Sequence, residues 1–171
     1  MKKLILLLVV LSGISQVGKT QAAKSIYFEL GGPGLASFNY DTRFSPKEDG
    51  IGGRIGIGGF SITSNDWNGG TDKVGVLFIP VGLNYILGKD GKNFFELGAG
   101  ITPVIASNSF DSENFSTTFG HFLFGYRMQP KTGGFTFRAF INPVFGKFGF
   151  IPYYGGVSFG YKFGSGKEVK K

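Results

Sequence analysis

The sequence predicts an all-β chain, an eight-stranded antiparallel up-and-down barrel, and three observations carry that prediction. Glycine and aromatics dominate: 30 of 171 residues are Gly and 20 are Phe. Large and small residues alternate with a period of two in one segment after another. The connectors between those segments are alternately tight and loose.

Composition sets limits first. Gly stands at more than twice its usual ~7%, and β-favouring aromatics abound, which excludes a helical bundle. The glycines show no strict third-residue period, which excludes collagen. At 42% hydrophobic and 16% aromatic, the chain can bury enough apolar surface to fold. Cys is absent, so disulfide scaffolds, thiolate metal sites and cysteine nucleophiles are excluded. The length fits one domain.

The chain opens with Met1-Lys2-Lys3, runs into the apolar stretch Leu4 to Leu11 and reaches Gln21-Ala22-Ala23. That order describes a secretory signal peptide, residues 1–23, cut after Ala22 or Ala23. The apolar stretch is too short for a transmembrane helix, which needs about 20 residues. The remainder reads as a barrel over 24–163 and a basic periplasmic tail over 164–171. Part of the formal +7 belongs to Lys2, Lys3 and Lys19 in the leader, and part to Lys167, Lys170 and Lys171 in the tail. The charge is therefore a matter of targeting and tail, and no nucleic-acid partner is expected.

The strands follow in order. Residues 25–44 are too long for one strand of about 9–11 residues, so the chain is expected to turn at Gly31-Gly32-Pro33-Gly34. In the second half Ala36, Phe38, Tyr40 and Phe44 oppose Ser37, Asn39, Asp41 and Arg43. Segment 51–62 sets Ile51, Ile55 and Ile57 against Arg54, Gly56 and Gly58. Segment 73–87 sets Leu77, Ile79, Val81, Leu83, Tyr85 and Leu87 against Val76, Phe78, Pro80, Gly82 and Asn84. Segment 93–106 sets Phe95, Leu97, Ala99, Ile101 and Ile105 against Glu96, Gly98, Gly100 and Thr102. Then Phe122, Phe124, Tyr126 and Met128 oppose His121, Gly125 and Arg127. Next, Phe135, Phe137, Ala139, Ile141 and Phe145 oppose Thr136, Arg138 and Asn142. The last strand, 152–163, sets Tyr153, Val157, Phe159, Tyr161 and Phe163 against Gly156, Ser158, Gly160 and Lys162. Tight turns are expected at 45–50, 88–92 and 129–134, and looser connectors at 63–72, 107–115 and 146–151.

Alternation alone does not say which face is wet. A soluble barrel buries its large apolar face, whereas a barrel in a bilayer turns it outward. Every strand here has an apolar face. The opposite face carries Gly together with Glu29, Asp41, Glu96, Arg43, Arg54, Arg127, Arg138 and Lys162. A narrow lumen needs small residues, and its charges need partners. Tyr40, Tyr85, Tyr126 and Tyr161 lie on the apolar face near the tight turns or the end of the last strand, as an aromatic girdle at one membrane interface would. The expected architecture is a transmembrane barrel with the tight turns and both barrel ends in the periplasm.

A resemblance adds to this reading. The ending Tyr161-Lys162-Phe163 resembles the C-terminal assembly signal of bacterial outer-membrane barrels, although this chain continues for eight residues beyond it. The stretches 27–44, Ile79 to Gly88, Gly125 to Lys131 and Gly133 to Arg138 are similar to uncharacterised barrel proteins of Bacteroidetes, and the whole looks like the small OmpA/OmpX-type group. The resemblance implies an outer-membrane location, lipid and the barrel-assembly machinery as partners, a monomer, and no catalytic motif or cofactor.

Four constellations can be weighed. Glu29 and Glu96 occupy equivalent places in two YFELG/FFELG echoes; they read as anchors of a lumenal ion-pair network rather than as an acid/base pair. His121, the one histidine, faces the lumen; a lipid-modifying enzyme would need it near a serine such as Ser158 and an acid such as Glu96. Asp66, Asp72, Asp111 and Glu113 read as a solvated rim, since no calcium-loop spacing is present. The G-x-G run Gly52 to Gly58 lacks a phosphate-loop lysine and a following helix, so it is strand glycine. The expected function is a structural role in the envelope without an aqueous channel. The alternatives are a transporter or binder of a small hydrophobic molecule, a soluble lipocalin-like barrel and a lipid-A-modifying enzyme.

Overall fold

The computed structural model describes residues 22–65, 71–108 and 115–163. Residues 1–21 of the leader expected at 1–23, the basic tail and the acidic residues Asp66, Asp111 and Glu113 lie outside them. The segments are β1 (Lys24–Gly31), a 3₁₀ turn η1 (Gly32–Gly34), β2 (Ala36–Arg43), β3 (Gly50–Asn65), β4 (Thr71–Phe78) and β5 (Val81–Leu87). They continue as β6 (Asn93–Asn108), β7 (Phe115–Met128), β8 (Gly134–Ile141), β9 (Val144–Gly146), β10 (Gly149–Ile151) and β11 (Gly155–Phe163).

These segments make eight barrel strands, because prolines interrupt three of them. Pro80 separates β4 from β5, Asn142-Pro143 separates β8 from β9, and Pro152 follows β10. Proline supplies no N–H to a ladder, so pairing lapses there. The ladder resumes at once: Gly56 N donates to Pro80 O (2.8 Å) and Phe122 N donates to Pro143 O (2.9 Å). All neighbours are antiparallel, and the last strand pairs with the first from Lys24↔Phe163 to Gly31↔Gly156, which closes the barrel.

Paired positions climb as the wall is followed round: Ile51 faces Tyr85, then Leu97, Phe124, Ile141 and Gly155. On returning to β1 the register has advanced by about ten residues, a stagger that goes with strongly tilted strands and a lumen of side-chain width.

Residues 25–44 form two strands, joined at a tip that takes left-handed backbone at Gly31 (φ 74°), Gly32 (φ 69°) and Leu35 (φ 58°). Glycine meets that requirement at no steric cost, and Leu35 meets it under strain. The Gly-Pro-Gly turn is buried at the mouth of the barrel.

The looser connectors are shorter than the sequence suggests. β3 runs to Asn65 and β4 starts at Thr71; β6 runs to Asn108 and β7 starts at Phe115. The Ser, Thr and Asn residues that read as loop are strand residues paired beyond the barrel proper, as in Thr63↔Lys73 and Ser107↔Gly75. The connector at 146–151 is likewise part of a small hairpin, β9–β10.

The surface is inverted relative to a soluble protein. Large apolar side chains stand exposed all round the wall, among them Ile26, Phe38 (68% exposed), Ile57, Leu83, Ile101, Phe135 and Ile141. The fully buried side chains are mostly polar, headed by Arg43, Arg127, Arg138 and Lys162.

Candidate functional site: the lumen

The lumen is built on a size rule that runs across neighbouring strands. Arg43 pairs with Gly52, Asn39 with Gly56, Arg54 with Gly82, His121 with Gly100, Phe140 with Gly125 and Tyr27 with Gly160. Each long side chain thus lies over a position that has none. A Cβ at Gly125 would stand 2.5 Å from Phe140 Cβ, and one at Gly100 would stand 2.7 Å from His121 Nε2. This cross-strand matching places much of the glycine content: close packing in a narrow barrel leaves volume for one large residue per pair.

All eight charged residues assigned to the lumen from sequence are buried there. Seven form an alternating chain of cation and anion: Arg43, Asp41, Arg127, Glu96, Arg138, Glu29 and Arg54. Arg43 Nη2 lies 2.8 Å from Asp41 Oδ1, and Arg127 Nη2 lies 3.0 Å from the same oxygen. Arg127 Nη1 reaches Glu96 Oε2 at 3.5 Å. Arg138 Nη2 reaches Glu96 Oε1 at 2.7 Å, and its Nη1 reaches Glu29 Oε2 at 3.7 Å. Arg54 Nη2 closes the chain at 3.0 Å from Glu29 Oε1. Asn84 stitches it further, donating to Glu96 Oε1 (2.7 Å) and to Asp41, and accepting from Arg43. The guanidinium of Arg138 also lies 4.5 Å from the centroid of the Tyr27 ring, a cation–π contact.

The eighth residue, Lys162, works at the mouth that carries the tight turns. Its ammonium donates to Pro130 O (2.9 Å) and Lys131 O (2.8 Å) and pairs with Glu48. Gln129 Nε2 donates to Glu48 Oε2 (3.2 Å), while Gln129 Oε1 accepts from Arg127 Nε (2.8 Å). The turn after β2 is thereby fastened across the mouth and tied to the central network. Glu48 escaped the sequence reading because it sits in a turn, where alternation assigns no face. Gln129 shares the parity of Arg127, so its place was readable.

The two catalytic alternatives find no geometry. Glu29 and Glu96 are not side by side, because Arg138 stands between them. His121 Nδ1 meets Thr102 Oγ1 at 3.3 Å, and Ser158 Oγ has no hydrogen-bond partner. Neither Ser158 nor Glu96 is a partner of the imidazole. Asp72 lies in β4, opposite Ser64.

The tyrosines Tyr40, Tyr85, Tyr126 and Tyr161 are all exposed on the outer wall. The Tyr126 hydroxyl donates to Asn93 at the start of β6 (2.5 Å). Tyr161 and Phe163 are edge to face at the end of β11, their centroids 5.7 Å apart.

No protein-family profile matches the sequence, and no curated protein matches it. Solved structures do. The N-terminal β-barrel domain of OprF from Pseudomonas aeruginosa is similar over 84% of this chain and 98% of its own, with a TM-score of 0.56 and 13% identity. Ail, the attachment invasion locus protein of Yersinia pestis, matches over 83% of this chain and 97% of its own, at 16% identity and a TM-score of 0.43. The likeness to the OprF barrel is one of fold: the chain is a closed, eight-stranded antiparallel β-barrel of the kind found in small outer-membrane proteins.

Proposed function

We propose that the chain is an outer-membrane barrel, monomeric, with a filled lumen and a structural role in the envelope. One observation carries this reading: the wall is apolar on its outside while four arginines and a lysine are buried inside it. A carboxylate or guanidinium out of water is tolerated only with partners, and the alternating chain supplies them. The same apolar wall in water would be an aggregation surface far larger than monomers expose. Lipid is therefore its partner, the tyrosines mark the periplasmic interface, and Tyr161 with Phe163 serves as the signal read by the assembly machinery. Eight strands leave room for side chains and not for an aqueous channel, and here the long ones fill it.

Fractionation tests the location. The protein should leave the membrane pellet only with detergent and should migrate differently on gels before and after boiling. Recovery in the soluble periplasmic fraction would overturn the reading. Conductance in planar bilayers tests the filled lumen: the expected trace stays at the leak level, and steady open steps would contradict it.

A further inference from the structure

The outer wall is apolar, but it is not uniformly convex. An open groove of about 790 Å³ crosses its outside where the last strand meets the first, over β11, β1, β2 and β3. Register sets its lining in two rows. Tyr161, Ile26, Tyr40 and Ile55 are successive partners in one row. Phe159, Phe28, Phe38 and Ile57 are successive partners in the next. Phe28 is half-buried and forms the floor, with the Phe38 ring tilted against it at 5.1 Å. Phe38 and Ile57 stand out as one bank, 68% and 57% exposed, and Phe159 as the other.

One cation stands at the end of this groove. The row below, on the side of the tight turns, is Phe163, Lys24, Thr42 and Gly53. Lys24 has the parity of Ile26 and Phe28, so it shares their outward face. At the outward positions of β11, β1, β2 and β3 it is the one charged residue. No carboxylate among the described residues pairs with its ammonium. Two tyrosines flank β1 one row above it, Tyr161 on one side and Tyr40 on the other. Tyr161 packs edge to face on Phe163, the partner of Lys24 across the seam, with centroids 5.7 Å apart.

This chemistry selects the occupant. The volume falls within the roughly 300–1,000 Å³ of small-molecule sites. An apolar trough on a wall in lipid takes a hydrocarbon chain. A lysine at its end, its stem laid along apolar surface and its ammonium at the interface, favours a chain that carries an anionic head. A second copy of the protein is the poorer match. Packed face to face on these strands it would bring another lysine and no carboxylate to meet the first. We infer that the groove over β11, β1, β2 and β3 is a binding site for an anionic phospholipid, with an acyl chain along Phe28 and the phosphate on Lys24. The inference rests on the outer-membrane reading, whose orientation puts this rim in the periplasmic leaflet.

The test uses the mature chain with Trp67 replaced by Phe and one tryptophan placed at Phe38, in the groove, or at Ile101, on β6 across the barrel. Each variant is reconstituted in phosphatidylcholine vesicles, and the heat-dependent gel shift selects folded protein. In wholly brominated phosphatidylcholine both tryptophans should be quenched. Quenching at neither would overturn the membrane reading, and this inference with it. A minor share of the lipid is then brominated, as phosphatidylglycerol in one series and phosphatidylcholine in the other. The apparent affinity at Phe38→Trp should favour phosphatidylglycerol about fivefold, and at Ile101→Trp it should favour neither. Adding K24R should keep the preference, and adding K24Q should remove most of it. A preference absent at Phe38→Trp, equal at Ile101→Trp, or unchanged by K24Q would overturn the inference with the membrane reading intact. So would a Phe38→Trp that no lipid quenches beside a quenched Ile101→Trp, because protein would then fill the groove.

Discussion

Arg138 stands between Glu96 and Glu29, with Nη2 2.7 Å from one carboxylate and Nη1 3.7 Å from the other. It joins two halves of the lumenal chain: Glu96 is also held by Arg127, and Glu29 by Arg54. Replacing it by methionine should cost about 3–5 kcal/mol, because each buried carboxylate loses one of its two cations. Pairing Arg138→Met with Glu96→Gln should recover a large part of that loss. Urea unfolding in lipid vesicles measures both; a single-mutant loss below about 1 kcal/mol would show that the bridge contributes little.

The glycine rule predicts a steric cost at a site with no chemistry. Gly125→Val places a branched side chain against Phe140, where even a Cβ stands at 2.5 Å. The expected destabilisation is about 1–3 kcal/mol, and Phe140→Ala should not relieve it, because the contacts are with Phe140 Cβ and Cα and with Ala139 O, which alanine leaves in place. The same urea titration reads it, and an unaffected single variant would mean that the lumen is loosely packed.

Glu48 and Lys162 form a latch at the mouth that carries the tight turns. A double-mutant cycle with Glu48→Gln and Lys162→Met should return a coupling of about 0.5–3 kcal/mol. Lys162→Met alone should be milder than Glu48→Gln alone, since the latter leaves a fully buried ammonium with carbonyl acceptors only, while the former leaves a carboxylate that is partly exposed and still held by Gln129. The reverse order would place the latch's cost on the glutamate.

The β5–β6 turn gives a pH prediction. The Asp90 carboxylate accepts the backbone N–H groups of Lys92 (2.9 Å) and Asn93 (2.7 Å) and the Asn93 side-chain amide (2.6 Å), which hold its pKa down at about 2. A depressed carboxylate steadies the turn above the unfolded value near 3.9 and loses that effect as pH falls towards 2. Amide exchange at Lys92 and Asn93 should therefore accelerate, relative to neighbouring turns, between about pH 4 and 2. Asp90→Asn should remove the pH dependence; exchange that is flat with pH in the parent would contradict the turn's design.

Period two made most of the barrel legible. Because one face is the exposed outside of the wall and the other lines a narrow lumen, Phe38 and Asp41, or Phe137 and Arg138, announce their sides without any tertiary information. Two features were hidden for physical reasons. Turn residues have no parity, so Glu48 carried no sign that it folds back beneath the lumen. Val76 and Phe78 sat on the small, polar face of an otherwise regular strand; sequence gave them no explanation, since nothing in the alternation tells where the bilayer stops. Pairing between β3, β4 and β6 supplies it: these residues belong to a wall that continues past the last β2–β3 pair, Ser37↔Gly58. The polar stretches around Thr63 and Ser107 misled in the same way, reading as loops although they are paired strand residues.

The most direct test is the depth of the wall in the bilayer. With Trp67 replaced by Phe, a single tryptophan is placed at Phe38, at Leu83 or at Ser61, and its fluorescence is followed in vesicles of lipids brominated along the acyl chain. Phe38→Trp and Leu83→Trp should be strongly quenched, while Ser61→Trp, beyond the last β2–β3 pair, should not. Equal, weak quenching at all three positions would mean that the apolar wall does not face lipid.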